Sequence, residues 1–186
     1  MKNTDQRVLA AAVDALASGR GGWLLTIAAT FGASPRPLGS LAFLDNDGQF
    51  TGSLSGGCIE DDLLEKLADG RLAAEHCTLQ EYGVTPEENE RFGLPCGGEL
   101  AIFCEPLSDK AKLTSIISGI ESHQLLRRSV HMKTGEVTIE NAIPGSEPTL
   151  EGDFFHSYFG PKLRLIIIGA NQLGAVLANI ATTLDY

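Results

Sequence analysis

Basic residues are scarce in this sequence. Fourteen Lys and Arg stand against 24 Asp and Glu, a formal net charge of −10. Nine of the acids fall between Glu60 and Glu88, with only Lys66 and Arg71 among them. A surface of that sign repels a phosphodiester backbone, so nucleic acid is not the expected partner. Long apolar runs are missing too: no stretch approaches the ~20 residues that span a bilayer. The opening "MKNTDQRVLAAAVDAL" is helical in pattern and lacks the charged, apolar and small-residue order of a secretion signal. A cytoplasmic protein without membrane contact is expected. The four cysteines, Cys58, Cys77, Cys96 and Cys104, include no CxxC pair and no histidine at zinc-ligand spacing. That pattern speaks against structural zinc and, in a reducing compartment, against disulfides. His76, His123, His131 and His156 have no Ser or Cys at recognisable spacing, so no hydrolase triad is read.

What is present suits a folded α/β chain: 186 residues, 43% of them hydrophobic, can bury a core. Val8, Leu9, Ala12, Val13 and Leu16 recur at helical spacing up to Gly19. Trp23 to Thr30 reads as a buried strand, "FGASPRPLGS" as a loop, and "LAFL", "DNDG" and "QFTGSL" as a hairpin. A helix from Cys58 carries Ile59, Leu63 and Leu67 on one face and stops at Gly70. A strand is expected within 73–82, a long loop over 83–98 and a strand at "ELAIFCEPL". Lys110 to Glu121 is helical, Leu125 to Asn141 folds as a hairpin about Thr134-Gly135, and "IPGSEPTLEGD" reads as a linker. The division expected is an N-terminal mixed α/β domain over 1–158. Over 159–186, "LRLIIIGANQLGAVLANIATTLDY" reads as the first strand-turn-helix of a Rossmann-like domain.

Three features offer chemistry. The first is the turn at Gly169 and Gly174, whose dinucleotide fingerprint has Asn171 where the middle glycine belongs. The chain also ends before the acidic residue expected ~20 positions on. An NAD(P)-dependent oxidoreductase is the alternative that this turn keeps open. The second is the pair of Cys-Gly turns, "SGGC" (Ser55, Gly56, Gly57, Cys58) and "PCGG" (Cys96, Gly97). Glycines there let backbone N–H groups approach an anion, and a helix starting at Cys58 adds its positive end. A helix N-terminus favours a thiolate, while Glu60, Asp61 and Asp62 oppose it; Cys58 could equally be a small packed residue. Cys77 and Cys104, inside strand-like runs, are read as core. The third is Arg36, the only basic residue between Arg20 and Lys66, held between two prolines and pre-organised to grip a phosphate or carboxylate. Ser34, Ser53 and Ser55 could donate to the same anion or serve as turn residues.

Taken together, "TFGASPRPLGS", "GSLSGGCIE", "GLPCGGEL" and the later "IIIGANQLG" resemble the XdhC/CoxI family. The resemblance implies an accessory factor, more a chaperone than an enzyme, for molybdenum hydroxylases such as xanthine dehydrogenase. Such a factor binds the molybdenum cofactor transiently, assists its sulfuration and passes it to the apo-subunit. It implies a Rossmann-like second domain, here only begun, a cysteine desulfurase as partner and a homo-oligomer. Carried onto this sequence, Cys58 and Cys96 would approach the molybdenum or its sulfur, with Cys58 as the metal-contacting thiol. Arg36, Ser34 and the turn residues would hold the pterin phosphate. A non-catalytic dimerisation module is a further alternative.

Overall fold

The structure, a computed structural model, describes residues 4–32, 34–94, 98–160 and 165–183. The elements run α1 (Thr4–Ala17), β1 (Gly22–Phe31), β2 (Leu41–Asp45), β3 (Phe50–Gly52), α2 (Cys58–Ala68), β4 (Thr78–Tyr82), α3 (Pro86–Arg91), β5 (Glu99–Leu107), α4 (Lys110–Glu121), β6 (Leu126–His131), β7 (Val137–Asn141), β8 (Thr149–Glu151), β9 (Phe154–Phe159) and α5 (Gln172–Thr183). The fold is mixed α/β, built on two antiparallel sheets. Five strands run in the order β3-β2-β1-β5-β4, and four in the order β7-β6-β9-β8.

The first sheet is covered on both faces, which is why β1 and β2 read as near-continuous apolar runs. Trp23, Leu25 and Ile27 alternate with Leu24, so the first three meet Ile59 and Leu63 of α2, while Leu24 meets Val8, Leu9 and Ala12 of α1 and Leu113 and Ile116 of α4. Burying side chains of this size stabilises by about 1.5–3 kcal/mol each. The β2–β3 reversal is tied by Asp45, whose carboxylate accepts from the N–H of Asp47 and Gln49 and pairs with Arg20 at 2.6 Å. Gly52 closes the hairpin at φ 102°, where a Cβ would stand 2.5 Å from the Leu41 carbonyl and 2.9 Å from Val8, so only glycine lets α1 lie this close.

The two sheets meet at Ala28, Cys77, Phe103, Val130 and Phe155. Beside that contact lies a buried ion pair between strands of different sheets, the Arg128 guanidinium of β6 gripping the Glu105 carboxylate of β5 through both of its terminal nitrogens. The side chains are 3% and 5% exposed.

Three sequence expectations are revised. The segment 83–98 is not loop throughout: Thr85 caps Glu88 and Pro86 opens α3, so a single helical turn forms where proline and acids suggested only irregular chain. The expected linker contains β8, which pairs with β9 through Leu150 and Phe155 and completes the second sheet. Three strand residues in a Pro- and Gly-rich run are too few to show a period. Leu165 to Ile168 pair with no strand among the described residues; a bare apolar run becomes a strand only beside a partner that takes its backbone hydrogen bonds. The helix expected after them is present as α5. No helix among the described residues is long and apolar enough to cross a membrane.

Candidate functional site

The turn 53–57 gathers a set of backbone and hydroxyl donors around one carboxylate. Gly56 and Gly57, at φ 106° and 149°, turn the backbone so that successive N–H groups point inward. The centre they surround is filled from within by Glu60. Its carboxylate accepts from the N–H of Leu54 at 2.8 Å, Ser55 at 3.0 Å, Gly56 at 3.3 Å and Gly57 at 3.0 Å. The hydroxyl of Ser53 donates at 3.3 Å, and the Ser55 hydroxyl makes a short bond to the same group. Burial pushes the Glu60 carboxyl up, but the donors of Ser55 and Leu54 outweigh it and bring the pKa down to about 2.

This corrects the reading of Ser55, Gly56 and Gly57 as donors awaiting a ligand anion, because a carboxylate three residues into α2 already satisfies them. Gly57 is the N-cap of α2 and Glu60 its third residue, the back-reaching half of a capping box. That spacing was legible in the sequence. The consequence for Cys58 is favourable: it stands first in α2, on a turn fixed by six hydrogen bonds to one carboxylate, and its side chain is exposed.

Cys77 and Cys104 are core, as read. Burial, reinforced by the nearby Glu105 charge, pushes the Cys77 thiol up to about 11, and burial pushes Cys104 up to about 12. Cys96 and Gly97, the second Cys-Gly turn, lie outside the described residues. A thiol reagent at pH 7.5 is therefore expected to modify Cys58 in the native protein, with Cys77 and Cys104 slower by orders of magnitude until denaturant is added. Mass-resolved labelling checks this, and equal native rates for Cys58 and Cys104 would refute it.

Arg36 pairs with no carboxylate among the described residues. Its Nε is buried without a hydrogen-bond partner, and its side chain lines a pocket of about 400 Å³ with Thr4, Arg7, Val8, Thr51, Gly52 and Ser53. Ser34 turns away from any ligand: its hydroxyl donates to the Arg36 carbonyl at 2.7 Å and stiffens the loop. Of the three serines, only Ser53 faces the Arg36 pocket, and it bridges that pocket to the Glu60-centred turn.

At the C-terminal turn, Asn171 caps α5, its Oδ1 accepting from the N–H of Gly174 at 2.8 Å. That N–H is the group a pyrophosphate would seek at a helix N-terminus. Gly169 stands at φ 118° and a Cβ on Gly174 would lie 3.0 Å from its carbonyl, so both glycines serve the tight turn.

The structure also joins residues that spacing did not. Ser129 and His156 are cross-strand partners with Oγ and Nδ1 2.7 Å apart, and Glu151 lies 3.6 Å from Nε2. Ser129 is 5% exposed, so no substrate carbonyl reaches its hydroxyl, and the trio ties β6, β9 and β8 together. Asp62 accepts from Tyr82 at 3.0 Å and pairs with Lys66 at 2.9 Å and Arg91 at 3.3 Å, locking α2 onto β4 and α3. Burial raises the Asp62 carboxyl, and the bonds from Lys66 and Tyr82 bring it below its ordinary value.

Among the described residues, then, one exposed thiol stands on the Glu60-centred turn, and Ser53 joins that turn to a pocket lined by two arginines. Residues 6–83 match the model of the XdhC and CoxI family. The match contains Arg36, the Glu60-centred turn and Cys58. The chain is 26% identical over 188 residues to the molybdenum cofactor insertion chaperone PaoD of Escherichia coli, covering 96% of this chain and 55% of that protein. It is 25% identical over 190 residues to a probable xanthine dehydrogenase subunit from Bacillus subtilis, covering 88% and 57%. The chain thus spans little more than half the length of the curated relatives it matches. A crystal structure described as a xanthine dehydrogenase from Bacillus halodurans shares the fold, with a TM-score of 0.58 at 17% identity over 86% of this chain and 53% of that one.

Proposed function

We propose that this protein is an insertion chaperone that holds the molybdenum cofactor as cargo, assists its sulfuration and delivers it to the apo-subunit of a xanthine dehydrogenase-type hydroxylase. The observation that carries the proposal is Cys58, an exposed thiol on a turn rigid before any ligand arrives, inside the segment that matches the family. Among the described residues no group of three His, Cys, Asp or Glu side chains could hold a metal by itself. A single soft sulfur donor suits a metal that arrives with its own dithiolene ligands and leaves again. Arg36 fits the phosphate end of the pterin, since a planar guanidinium with a buried unpartnered Nε has donors to give. Cys96 is assigned the second thiol contact. A cysteine desulfurase is the partner that sulfuration calls for, and self-association would match the exposed apolar side chains of Leu173, Val176, Leu177 and Ile180.

The test is molybdenum and pterin content of the protein purified anaerobically from cells that make the cofactor. Near-stoichiometric cofactor is expected in wild type, with a deficit of at least tenfold in Cys58→Ala. Equal retention by both would remove Cys58 from the site.

A further inference from the structure

Seven arginines fall among the described residues, and five of them pair with carboxylates: Arg20 with Asp45, Arg71 with Asp69, Arg91 with Asp62, Arg127 with Glu140 and Arg128 with Glu105. In a chain of net charge −10 that is the expected fate of a guanidinium. Arg7 and Arg36 are the two without such a partner among the described residues, and both line the same pocket of about 400 Å³.

They come from separate elements. Arg7 stands on α1, and Arg36 on the proline-flanked loop between β1 and β2. Two unpaired cations lining one pocket repel each other, and the Arg36 Nε is buried with no hydrogen-bond partner. Both penalties vanish when an anion enters. Around the two arginines the pocket presents Thr4 and Thr51, each with a hydroxyl donor, and Ser53, whose proton goes to Glu60. Gly52 keeps the floor open where any Cβ would collide with the hairpin. Glu60, to which Ser53 also donates, is turned toward the amides of 54–57. Asp5 lies in the first turn of α1.

We infer that Arg7 and Arg36 together form a binding site for the dianionic head of a phosphate monoester, with Thr51 as its hydroxyl donor. One guanidinium fork satisfies a carboxylate; two forks and a hydroxyl match a group with two charges and three peripheral oxygens. The inference rests on the assignment of Arg36 to the phosphate end of the cargo. It adds Arg7, which no spacing in the sequence connects to Arg36.

The experiment uses the full chain and two readouts. In the first, inorganic phosphate and phenyl phosphate are titrated while the arginine Nε–H signals are followed by NMR, with chloride as the control at matched ionic strength. Saturable shifts of Arg7 and Arg36 are expected for both phosphates. A loss of affinity of at least tenfold is expected in Arg7→Ala and in Arg36→Ala, with a smaller loss in Arg7→Lys. Arg7 is exposed, so its variants report even if Arg36→Ala fails to fold. In the second, cofactor content is measured on the same variants. Phosphate binding that is absent, or indifferent to Arg7, overturns the inference even where wild type retains the cofactor through Cys58. Arginine-dependent phosphate binding in a protein that never retains cofactor leaves the anion site standing and removes the cofactor reading instead.

Discussion

Replacing Arg128 by alanine is expected to lower the unfolding free energy by about 3–5 kcal/mol, a third or more of what a domain of this size usually has. The Glu105 carboxylate is 5% exposed and lies at the seam of the two sheets, so the variant leaves a charge that neither water nor another cation reaches. Glu105→Ala strands the guanidinium in the same way, with its Nε already lacking a partner. The double replacement Glu105→Leu with Arg128→Met removes both charges and fills similar volume, and should recover most of the loss. Urea unfolding of the three variants measures this. A single variant within about 1 kcal/mol of wild type would mean that water enters the seam on loss of the partner.

Glu60→Gln is the second large effect, and it links stability to the site. The substitution keeps the shape but removes the charge on which four backbone N–H groups converge. A loss of about 2 kcal/mol is expected, discounted because Glu60 is only half buried. Amides 54–57 should exchange faster, and cofactor retention should fall although Cys58 is intact. The pH dependence follows from the same geometry. The carboxyl titrates at about 2 in the folded chain against an ordinary 4.5, so its contribution is complete above pH 4.5 and is lost as pH falls toward 2. Between those values wild type should lose more stability than Glu60→Gln. Unchanged exchange at 54–57 in the variant would show that the glycine turn holds itself.

Much of the frame was legible in the chain because it rests on local rules. Periodicity located α1, α2 and α4, the Asp-Gly and Thr-Gly turns located two hairpins, and a continuous apolar run marked β1 as a buried strand. Gly57 and Glu60, three apart at a helix start, carried their contact in the spacing. The second sheet was only half visible, since β8 has three residues and depends on β9 for its register.

By itself, then, the sequence determined the helices, the hairpins, the acidic surface and the cysteine turn, because each follows from neighbours within a few residues. Tertiary structure decided which groups meet across long separations. It placed Glu60 where a ligand anion was expected, joined Arg128 to Glu105 between sheets and set Arg7 and Arg36 on one pocket. Charges close over such distances only when packed elements hold them there, and no local pattern records which elements will pack.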